Sequence, residues 1–306
     1  MTHVNITSRK LFLILFSLVL PIVIKAEQKG LEEQLRKVIA NKKAQIGIAV
    51  IINSKDTITI NNDARYPMMS VFKFHQALAV ADYLQRHALT LETEIPISPS
   101  DLKPNTYSPL RDRYPDGNVT LTVGDLLTYT LQQSDNNACD ILFDYIGGTD
   151  VADSYIRSLG FDRFEIVATE DDMHRDTGLC YRNWTSPLDA AGLLDCFLTD
   201  SLFDEASRNF IRNTMISCRT GQDRLVAPLL GTGAVVGHKT GTGDRDGDGR
   251  MIGLNDIGFV LLPNEHYYTI AVFVTGAKKE DAEIARILSD VSDLVYRYAV
   301  KRGCLR

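Results

Sequence analysis

The sequence has few of the features that mark the specialised classes of protein. It contains 5 cysteines in 306 residues and no C-x-x-C pair, which excludes a dense disulfide scaffold and a cysteine-based metal framework. The 6 histidines are scattered, without H-E-x-x-H or H-x-H, so no zinc site is expected. Asp and Glu outnumber Lys and Arg by 39 to 33, and no basic run exceeds two residues. A nucleic-acid partner is therefore excluded.

Long hydrophobic runs are also scarce, and the one that stands out lies near the N-terminus. Residues 11–24 are apolar apart from one Ser and one Pro, they follow Arg9 and Lys10, and the small residue Ala26 comes after them. This is the layout of a secretory signal peptide, and the run is shorter than the about 20 residues needed to cross a bilayer. The sequence predicts a signal peptide over residues 1–26 and a mature chain that is secreted, periplasmic and without stable membrane association after cleavage. An uncleaved anchor is the alternative.

The rest of the chain has the composition of an ordinary globular protein, with 44% hydrophobic and 24% charged residues. Short β-rich runs lie toward both ends of the mature chain, and the middle is mainly helical. This order predicts an α/β (α+β) fold of two lobes, one a sheet flanked by helices and the other an inserted all-helical lobe. The predicted boundaries are residues 27–66 and 219–306 for the sheet lobe and 67–218 for the helical lobe. The predicted strands are residues 46–52, 57–60, 234–239, 256–262 and 267–274.

The first motif that can carry chemistry is Ser70-Val71-Phe72-Lys73, at the start of a predicted helix. Residues i and i+3 of a helix share a face, so Lys73 can lie over the Ser70 hydroxyl. Serine is a weak nucleophile until a neighbouring group takes its proton, and a lysine amine of lowered pKa can do so. Alone the pattern is weak, because residues 100–103 match it too and an N-cap followed by a surface lysine is the commoner meaning.

The second motif is Ser134-Asp135-Asn136, which follows an apolar helical stretch. A hydroxyl and a carboxamide two residues apart on a loop can both face a cleft, where they would relay a proton and bind a substrate amide. Ser, Asp and Asn also favour plain turns, and the motif standing alone would be interpreted as one.

The third motif is Lys239-Thr240-Gly241, at the end of a predicted strand. A cation and a hydroxyl at the end of an edge strand can bind a substrate carboxylate, and Gly241 would let a ligand come close to the backbone. The alternative is an ordinary strand end followed by a turn.

Together, and in this order, the three motifs are typical of class A β-lactamases and penicillin-binding proteins. Over residues 28–300 the chain resembles the class A serine β-lactamases, most closely the branch with the CfxA, PER and VEB types. Further phrases that fit this branch are Tyr107-Ser108-Pro109, Asn183-Trp184-Thr185-Ser186-Pro187, Gly237-His238-Lys239-Thr240-Gly241-Thr242-Gly243 and Asn255-Asp256-Ile257-Gly258.

The resemblance implies a serine β-lactamase/transpeptidase-like fold, with an antiparallel sheet and the active site between the two lobes. It also implies a monomeric hydrolase that opens the β-lactam amide of penicillins and cephalosporins through a serine acyl-enzyme. Such an enzyme confers β-lactam resistance, takes a small-molecule substrate, and needs neither a cofactor nor a metal.

The family also uses a glutamate, in a loop between the second and third motifs, to hold a water over the acyl-enzyme. The matching segment here is residues 168–174, and the resemblance makes Glu170 the general base for deacylation. Glu165, Asp171 and Asp172 are its rivals in the same stretch.

Two residues of this segment depart from the common class A pattern. Ala168 stands where many members have an arginine that ties the loop by an ion pair, and His174 stands where most have an asparagine that helps to hold the water. The conformation of the loop is therefore left open by the sequence. A looser loop would widen the cleft and suit bulky cephalosporins.

The resemblance assigns catalytic roles to the residues of the three motifs. Ser70 would attack the β-lactam carbonyl, and either Lys73 or Glu170 would take its proton. Ser134 would pass a proton to the departing nitrogen, with the electrostatic help of Lys239. The backbone N–H groups of Ser70 and Thr242 would form the oxyanion hole.

The resemblance also assigns residues that bind the substrate. Asn136 would hold the side-chain amide, Thr240 and Thr242 would meet the carboxylate beside Lys239, and Tyr107 would wall the cleft. An arginine often helps to bind the carboxylate, for which Arg224 is the first candidate and Arg245 the second. A surface ion pair is the alternative for Arg224.

Two other functions fit the same motifs. A D-alanyl-D-alanine carboxypeptidase or related penicillin-binding protein would share the trio but deacylate slowly, and the Glu170 loop counts against it. A catalytically silent β-lactam sensor is disfavoured by the complete trio.

Residues 244–249 begin like a calcium loop, but the twelfth position is Asn255 instead of glutamate, so a polar turn is predicted.

Overall fold

The computed structural model of the protein describes residues 27–303. The predicted signal peptide, residues 1–26, lies outside the described residues. Between residues 27 and 303, no helix is long and apolar enough to cross a bilayer.

The helices are α1 (27–39), α2 (Phe72–Arg86), α3 (Pro109–Arg113), α4 (Val123–Gln132), α5 (Asn136–Ile146), α6 (Thr149–Ser158), α7 (Glu170–Arg175), α8 (Pro187–Thr199), α9 (Glu205–Ile216) and α10 (Asp281–Gly303). The strands are β1 (Gln45–Ile52), β2 (Asp56–Ile60), β3 (Tyr66–Pro67), β4 (Glu94–Ile97), β5 (Val119–Thr122), β6 (Phe164–Glu165), β7 (Trp184–Thr185), β8 (Val235–Thr242), β9 (Leu254–Leu261) and β10 (Tyr267–Thr275).

The main sheet has five strands in the order β2-β1-β10-β9-β8, and each neighbouring pair is antiparallel. The expected antiparallel sheet, built from both ends of the described part of the chain, is therefore confirmed. Strand β8 is longer than predicted, because its residues up to Thr242 pair with β9 as far as Leu254. The Lys239-Thr240-Gly241 motif consequently lies inside a paired strand, where its backbone is held in register, and not at a strand end.

Both faces of this sheet are buried, which explains its apolar strands. Successive side chains of a strand point to opposite faces, so Ile48 and Val50 join the core beneath α1 and α10. Ala49 and Ile51 join a second core, with the helices of the other face. Strands covered on both sides are nearly continuous apolar runs, and the IGIAVII run within β1 is one of them.

The inserted segment is mainly helical, but the prediction that it is all-helical was wrong. Strands β4 and β5 pair with each other, and β3, β7 and β6 form a small three-stranded sheet. These strands have only two to four residues, too short to give a clear alternating pattern in the sequence. Helix α8 also lies against the main sheet, where the Thr269 hydroxyl donates to the Ala191 carbonyl at 2.9 Å.

Helix α2 is the central helix of the inserted segment. Its residues from Phe72 to Ala81 are all buried, and it packs against α4, α5, α6 and α9. A helix that is buried all round is fixed in position by its neighbours. The side chains of its first turn are therefore held firmly, which suits a site that needs fixed geometry.

Candidate active site

The Ser70 hydroxyl lies at the start of the central helix. Ser70 belongs to a short 3₁₀ helix, Met69–Val71, that leads directly into α2. The Lys73 ammonium, one turn further on, lies 3.1 Å from the Ser70 Oγ atom. Met69 and Ser134 both have positive φ, +47° and +62°, which is uncommon for residues other than glycine and is typical of functional sites.

The Lys73 ammonium is fully buried and surrounded by acceptors. Besides Ser70, its Nζ atom contacts the Ser134 carbonyl oxygen at 2.8 Å and Asn136 Oδ1 at 2.6 Å. It also forms an ion pair with Glu170 Oε1 at 2.8 Å. A charge with this many polar partners can stay in a site that water does not reach.

The Glu170 carboxylate contacts the same serine hydroxyl. The Ser70 hydroxyl donates to Glu170 Oε1 at 3.2 Å. The three rivals of Glu170 have other partners: Glu165 accepts from the Trp184 indole, Asp171 pairs with the Arg175 guanidinium, and Asp172 caps its own helix through Thr169. Of these four acidic side chains, only that of Glu170 contacts the serine.

The backbone of Glu170 is held by a residue that carries no sequence signal, Asp140. The two oxygens of Asp140, on α5, each accept a backbone N–H at 2.8 Å, one from Glu170 and one from Asp171. Burial, together with the nearby charge of Glu170, raises the pKa of Asp140 to about 7. An acid at a helix N-terminus is favourable in itself, so Asp140 anchors the first turn of α7.

The loop before Glu170 is anchored by an amide, since Ala168 cannot form an ion pair. The Asn183 side chain is fully buried. Its Oδ1 atom accepts from the Val167 N–H at 2.8 Å and the Ala168 N–H at 3.0 Å, and its Nδ2 atom donates to the Ala168 carbonyl at 2.8 Å. These three hydrogen bonds hold the backbone at Val167 and Ala168, in the loop whose conformation the sequence left open.

The second and third motifs meet through Lys239. Its ammonium is fully buried and donates to the Ser134 hydroxyl and the Thr240 carbonyl, both at 2.8 Å. Burial and the like charge of Lys73 lower the pKa of Lys239 to about 7. Gly241 serves the protein's own packing, because a Cβ atom there would lie 2.4 Å from the Met68 carbonyl oxygen.

The arginine candidates differ clearly in position. Arg224 is buried, and its guanidinium donates to Thr242 Oγ1 at 2.6 Å and to the Asn255 carbonyl at 2.8 Å. Arg245 instead forms a surface ion pair with Asp281 at 2.6 Å. The structure thus brings Arg224 to the strand that carries Lys239, and it directs Arg245 elsewhere.

Two of the predicted substrate-binding side chains already have protein partners. The Thr240 hydroxyl lies 2.6 Å from that of Thr220, a residue in no motif. The Asn136 amide donates to Thr106 Oγ1 at 2.7 Å while its oxygen accepts from Lys73. Each side chain is therefore fixed in one orientation before any ligand arrives.

The site opens into a cleft of about 570 Å³. Its lining includes Tyr107, Glu170, His174 and Thr242, and Tyr107 is 59% exposed. Within residues 27–303 there is no cluster of three or more His, Cys, Asp or Glu side chains placed to hold a metal. A partly exposed serine beside a cleft, in contact with a buried lysine and a buried glutamate, can carry out acyl transfer to the serine and hydrolysis of the resulting ester.

The comparisons with known proteins agree with this geometry. The sequence profile of the beta-lactamase enzyme family matches residues 29–299. A beta-lactamase of Bacteroides uniformis is 39% identical over 93% of this chain and 96% of its own length. The beta-lactamase VEB-1 of Pseudomonas aeruginosa is 37% identical over 96% of this chain and 99% of its own. The crystal structure of a class A beta-lactamase from Bacteroides cellulosilyticus superposes with a TM-score of 0.85 at 41% identity, covering 89% of this chain and 98% of that one. The chain therefore belongs to the beta-lactamase enzyme family, in the class A branch that it shares with VEB-1.

Proposed function

We propose that this chain hydrolyses β-lactams through an acyl-enzyme on Ser70 and thereby confers β-lactam resistance. The observation that carries the proposal is the convergence of Lys73 and Glu170 on one hydroxyl, at 3.1 and 3.2 Å from Ser70 Oγ. A penicillin-binding protein that deacylates slowly needs only the first half of this arrangement, because its acyl-enzyme with a β-lactam is long-lived and no group activates water rapidly against it.

The first half of the reaction is the attack of Ser70 on the β-lactam carbonyl. Both Lys73 and Glu170 are within reach of the hydroxyl proton, and they are themselves joined by an ion pair of 2.8 Å. Glu170 can accept the proton directly, whereas Lys73 can accept it only after its ammonium has passed a proton to Glu170 across that contact. The backbone N–H groups of Ser70 and Thr242 supply the oxyanion hole, where fixed donors stabilise the charge that develops on the carbonyl oxygen.

The departing nitrogen takes its proton from Ser134. The Lys239 ammonium donates to the Ser134 hydroxyl, which stabilises negative charge on that oxygen and so helps the proton to leave. Arg224 and the protonated form of Lys239 lie behind the cleft wall and attract the substrate carboxylate, with the hydroxyls of Thr240 and Thr242 near them. Asn136 and Tyr107 position the substrate's side-chain amide and wall the cleft.

The second half is hydrolysis of the Ser70 ester, for which Glu170 is the general base. Its carboxylate lies on the serine side of the cleft and its backbone is fixed by Asp140. General-base catalysis of this kind contributes roughly 10²- to 10⁴-fold. This step separates the proposed function from the carboxypeptidase alternative.

We also propose that the protein acts in the periplasm as a monomer, after loss of residues 1–26. The charged start and short apolar run of that segment support export. The two predicted lobes are residues 27–66 with 219–306 and residues 67–218. The cleft would lie between these lobes, open to solvent.

The test is hydrolysis of a chromogenic cephalosporin by residues 27–306 and by the Glu170→Gln variant. We expect rapid wild-type turnover, and a roughly 10²- to 10⁴-fold loss in the variant with a stable acyl-enzyme in the mass spectrum. Asp171→Asn is the matched control, since that acid lies in the same helical turn but pairs with Arg175; its turnover should stay near wild type. A wild-type protein that itself stalls as the acyl-enzyme would support the penicillin-binding alternative.

A further inference from the structure

Residues 103–108, the Tyr107 loop, form one wall of the cleft. These residues belong to no helix or strand, and Pro104, Thr106 and Tyr107 line the cleft. The backbone of such a segment has no ladder of its own, so its N–H and carbonyl groups need partners elsewhere. The shape of this wall therefore depends on the groups that bind its backbone.

Both ends of the Tyr107 loop are attached to the start of α5. At the first end, the Asn137 amide accepts from the Lys103 N–H at 3.1 Å and donates to the Lys103 carbonyl at 3.2 Å. At the second end, the Ser108 hydroxyl donates to the carboxylate of Asp135, the N-cap of α5, at 3.0 Å. These contacts fix where the loop begins and ends, and they leave the residues between to other partners.

The middle of the loop is held by the guanidinium of Arg111, on α3. Its Nη1 atom donates to three backbone carbonyls, those of Lys103 at 2.9 Å, Pro104 at 2.8 Å and Thr106 at 2.7 Å. Its Nη2 atom contacts the Asp112 carboxylate at 2.9 Å, and the side chain is 23% exposed. A guanidinium carries five donors in a rigid plane, so Arg111 can hold these carbonyls in fixed positions.

The loop in turn holds the side chain of Asn136. Thr106 Oγ1 accepts one N–H of the Asn136 amide at 2.7 Å, and the Asn136 backbone N–H donates to the Tyr107 carbonyl at 3.1 Å. The Lys73 ammonium donates to Asn136 Oδ1. A carboxamide has two N–H groups, so the second N–H of Asn136 is the one left for the carbonyl of a ligand.

We propose that Arg111 is a positioning residue for recognition of the acylamide side chain of β-lactams. By fixing the backbone at Thr106, it fixes the hydroxyl that orients Asn136, and hence the direction of the N–H that meets the substrate amide. Arg111 is not among the residues that line the cleft, so it acts through the Tyr107 loop and not by touching the substrate. This inference rests on the proposed function, because it assumes that Asn136 binds the side-chain amide.

The test compares hydrolysis of benzylpenicillin with that of aminopenicillanic acid, which has the same ring system but a free amine in place of the acylamide. In Arg111→Met the side chain keeps its apolar stem and loses its donors. We expect kcat/KM to fall at least about fivefold for benzylpenicillin and to change less than about twofold for aminopenicillanic acid, because only the first presents an amide carbonyl to Asn136.

Arg113→Met is the matched control and should leave both values unchanged. Arg113 lies on the same helix, is exposed, and donates to the Tyr114 hydroxyl at 3.1 Å. A general loosening of the protein would lower both kcat/KM values alike, so their ratio separates positioning from a purely structural role. Equal losses for the two substrates in Arg111→Met, or no loss for benzylpenicillin, would overturn the proposal. Arg111→Lys keeps the charge without the planar fork, and it replaces Arg111→Met, with the same deciding outcomes, if that variant does not fold.

A second measurement does not depend on turnover. The side-chain N–H signals of Asn136 in the nitrogen-15 NMR spectrum are identified by their loss in Asn136→Asp. The signal of the N–H bound to Thr106 should shift toward that of a free amide in Arg111→Met and stay in place in Arg113→Met. Unchanged signals in Arg111→Met would overturn the positioning role. A wild-type protein that hydrolyses neither compound would contradict the proposed function alone, since these signals still decide what Arg111 does to Asn136.

Discussion

The backbone just before Glu170 is anchored by one buried amide, that of Asn183, and replacing it should uncouple the two halves of the reaction. In Asn183→Leu the side chain keeps a similar volume but makes no hydrogen bonds. The Val167 N–H, the Ala168 N–H and the Ala168 carbonyl then lose their partners. These groups lie just ahead of Glu170, so we expect both lower stability and slower deacylation.

The size of the effect follows from the number of groups left unpaired. A buried backbone group without a hydrogen bond costs about 1 to 3 kcal/mol. Both groups of Ala168 are buried, so even the lower limit gives a loss of about 2 kcal/mol in the free energy of unfolding. Misplacement of a catalytic group by about 1 Å costs about 100-fold in rate. Because Ser70 lies in the 3₁₀ turn before α2 and Lys73 lies on α2, both outside this loop, acylation should be far less affected.

Urea unfolding measures the first effect, and the lifetime of the acyl-enzyme after mixing with a cephalosporin measures the second. Asn62→Leu is a suitable control, because the Asn62 amide accepts one backbone N–H, that of Leu188, at 2.8 Å. It should cost only about 1 kcal/mol and leave deacylation normal. An Asn183→Leu protein that unfolds at the wild-type urea concentration and deacylates at the wild-type rate would refute the reasoning.

Three further predictions address pH, binding and specificity. Burial lowers the pKa of His75 to about 4. Between about pH 6.5 and 4 the unfolded chain therefore binds a proton at this histidine that the folded chain does not bind. The free energy of unfolding is at its full value above about pH 6.5, and about 3 kcal/mol of it is lost as the pH falls to 4. His75→Gln should flatten that slope in urea unfolding between pH 6.5 and 4.5; an unchanged slope would exclude His75 as its source. Arg224→Gln should raise KM at least about tenfold and change kcat less, because the substrate carboxylate loses a charged contact. A tenfold fall in kcat with an unchanged KM would argue against a binding role. The cleft of about 570 Å³ should admit an oxyimino-cephalosporin, so the protein should hydrolyse it in addition to a small penicillin. No activity on the oxyimino-cephalosporin would contradict a cleft suited to bulky substrates.

Local patterns were sufficient for the groups that sit on regular elements. Ser70 and Lys73 could be placed together because helix geometry brings residues three apart to one face, and the structure has them 3.1 Å apart. The strands of the sheet could be predicted because both of its faces are buried, which leaves continuous apolar runs. The two-residue strands of the inserted segment have no such pattern, and they were missed.

Residues that support the site from a distance were not visible in the sequence. Asp140 lies 30 positions before Glu170, and Thr220 lies 20 positions before Thr240. An acid in a helix and a threonine in a turn are ordinary residues until the fold brings them against a backbone N–H or a second hydroxyl. The choice between Arg224 and Arg245 was of the same kind, since both follow glycine-containing turns and only packing distinguishes them.

The sequence by itself determined which reactive groups the site contains. These are a serine and a lysine one helical turn apart, a second serine, a second lysine in a strand, and a glutamate that lies between the second serine and the second lysine in the chain. The tertiary structure decided how these groups act on one another. It brought Glu170 and Lys73 to one hydroxyl, and it made Asn183 the anchor of a loop that has no arginine at position 168. The physical reason is that hydrogen bonds and charges act over about 3 Å, whereas sequence patterns report only neighbours along the chain.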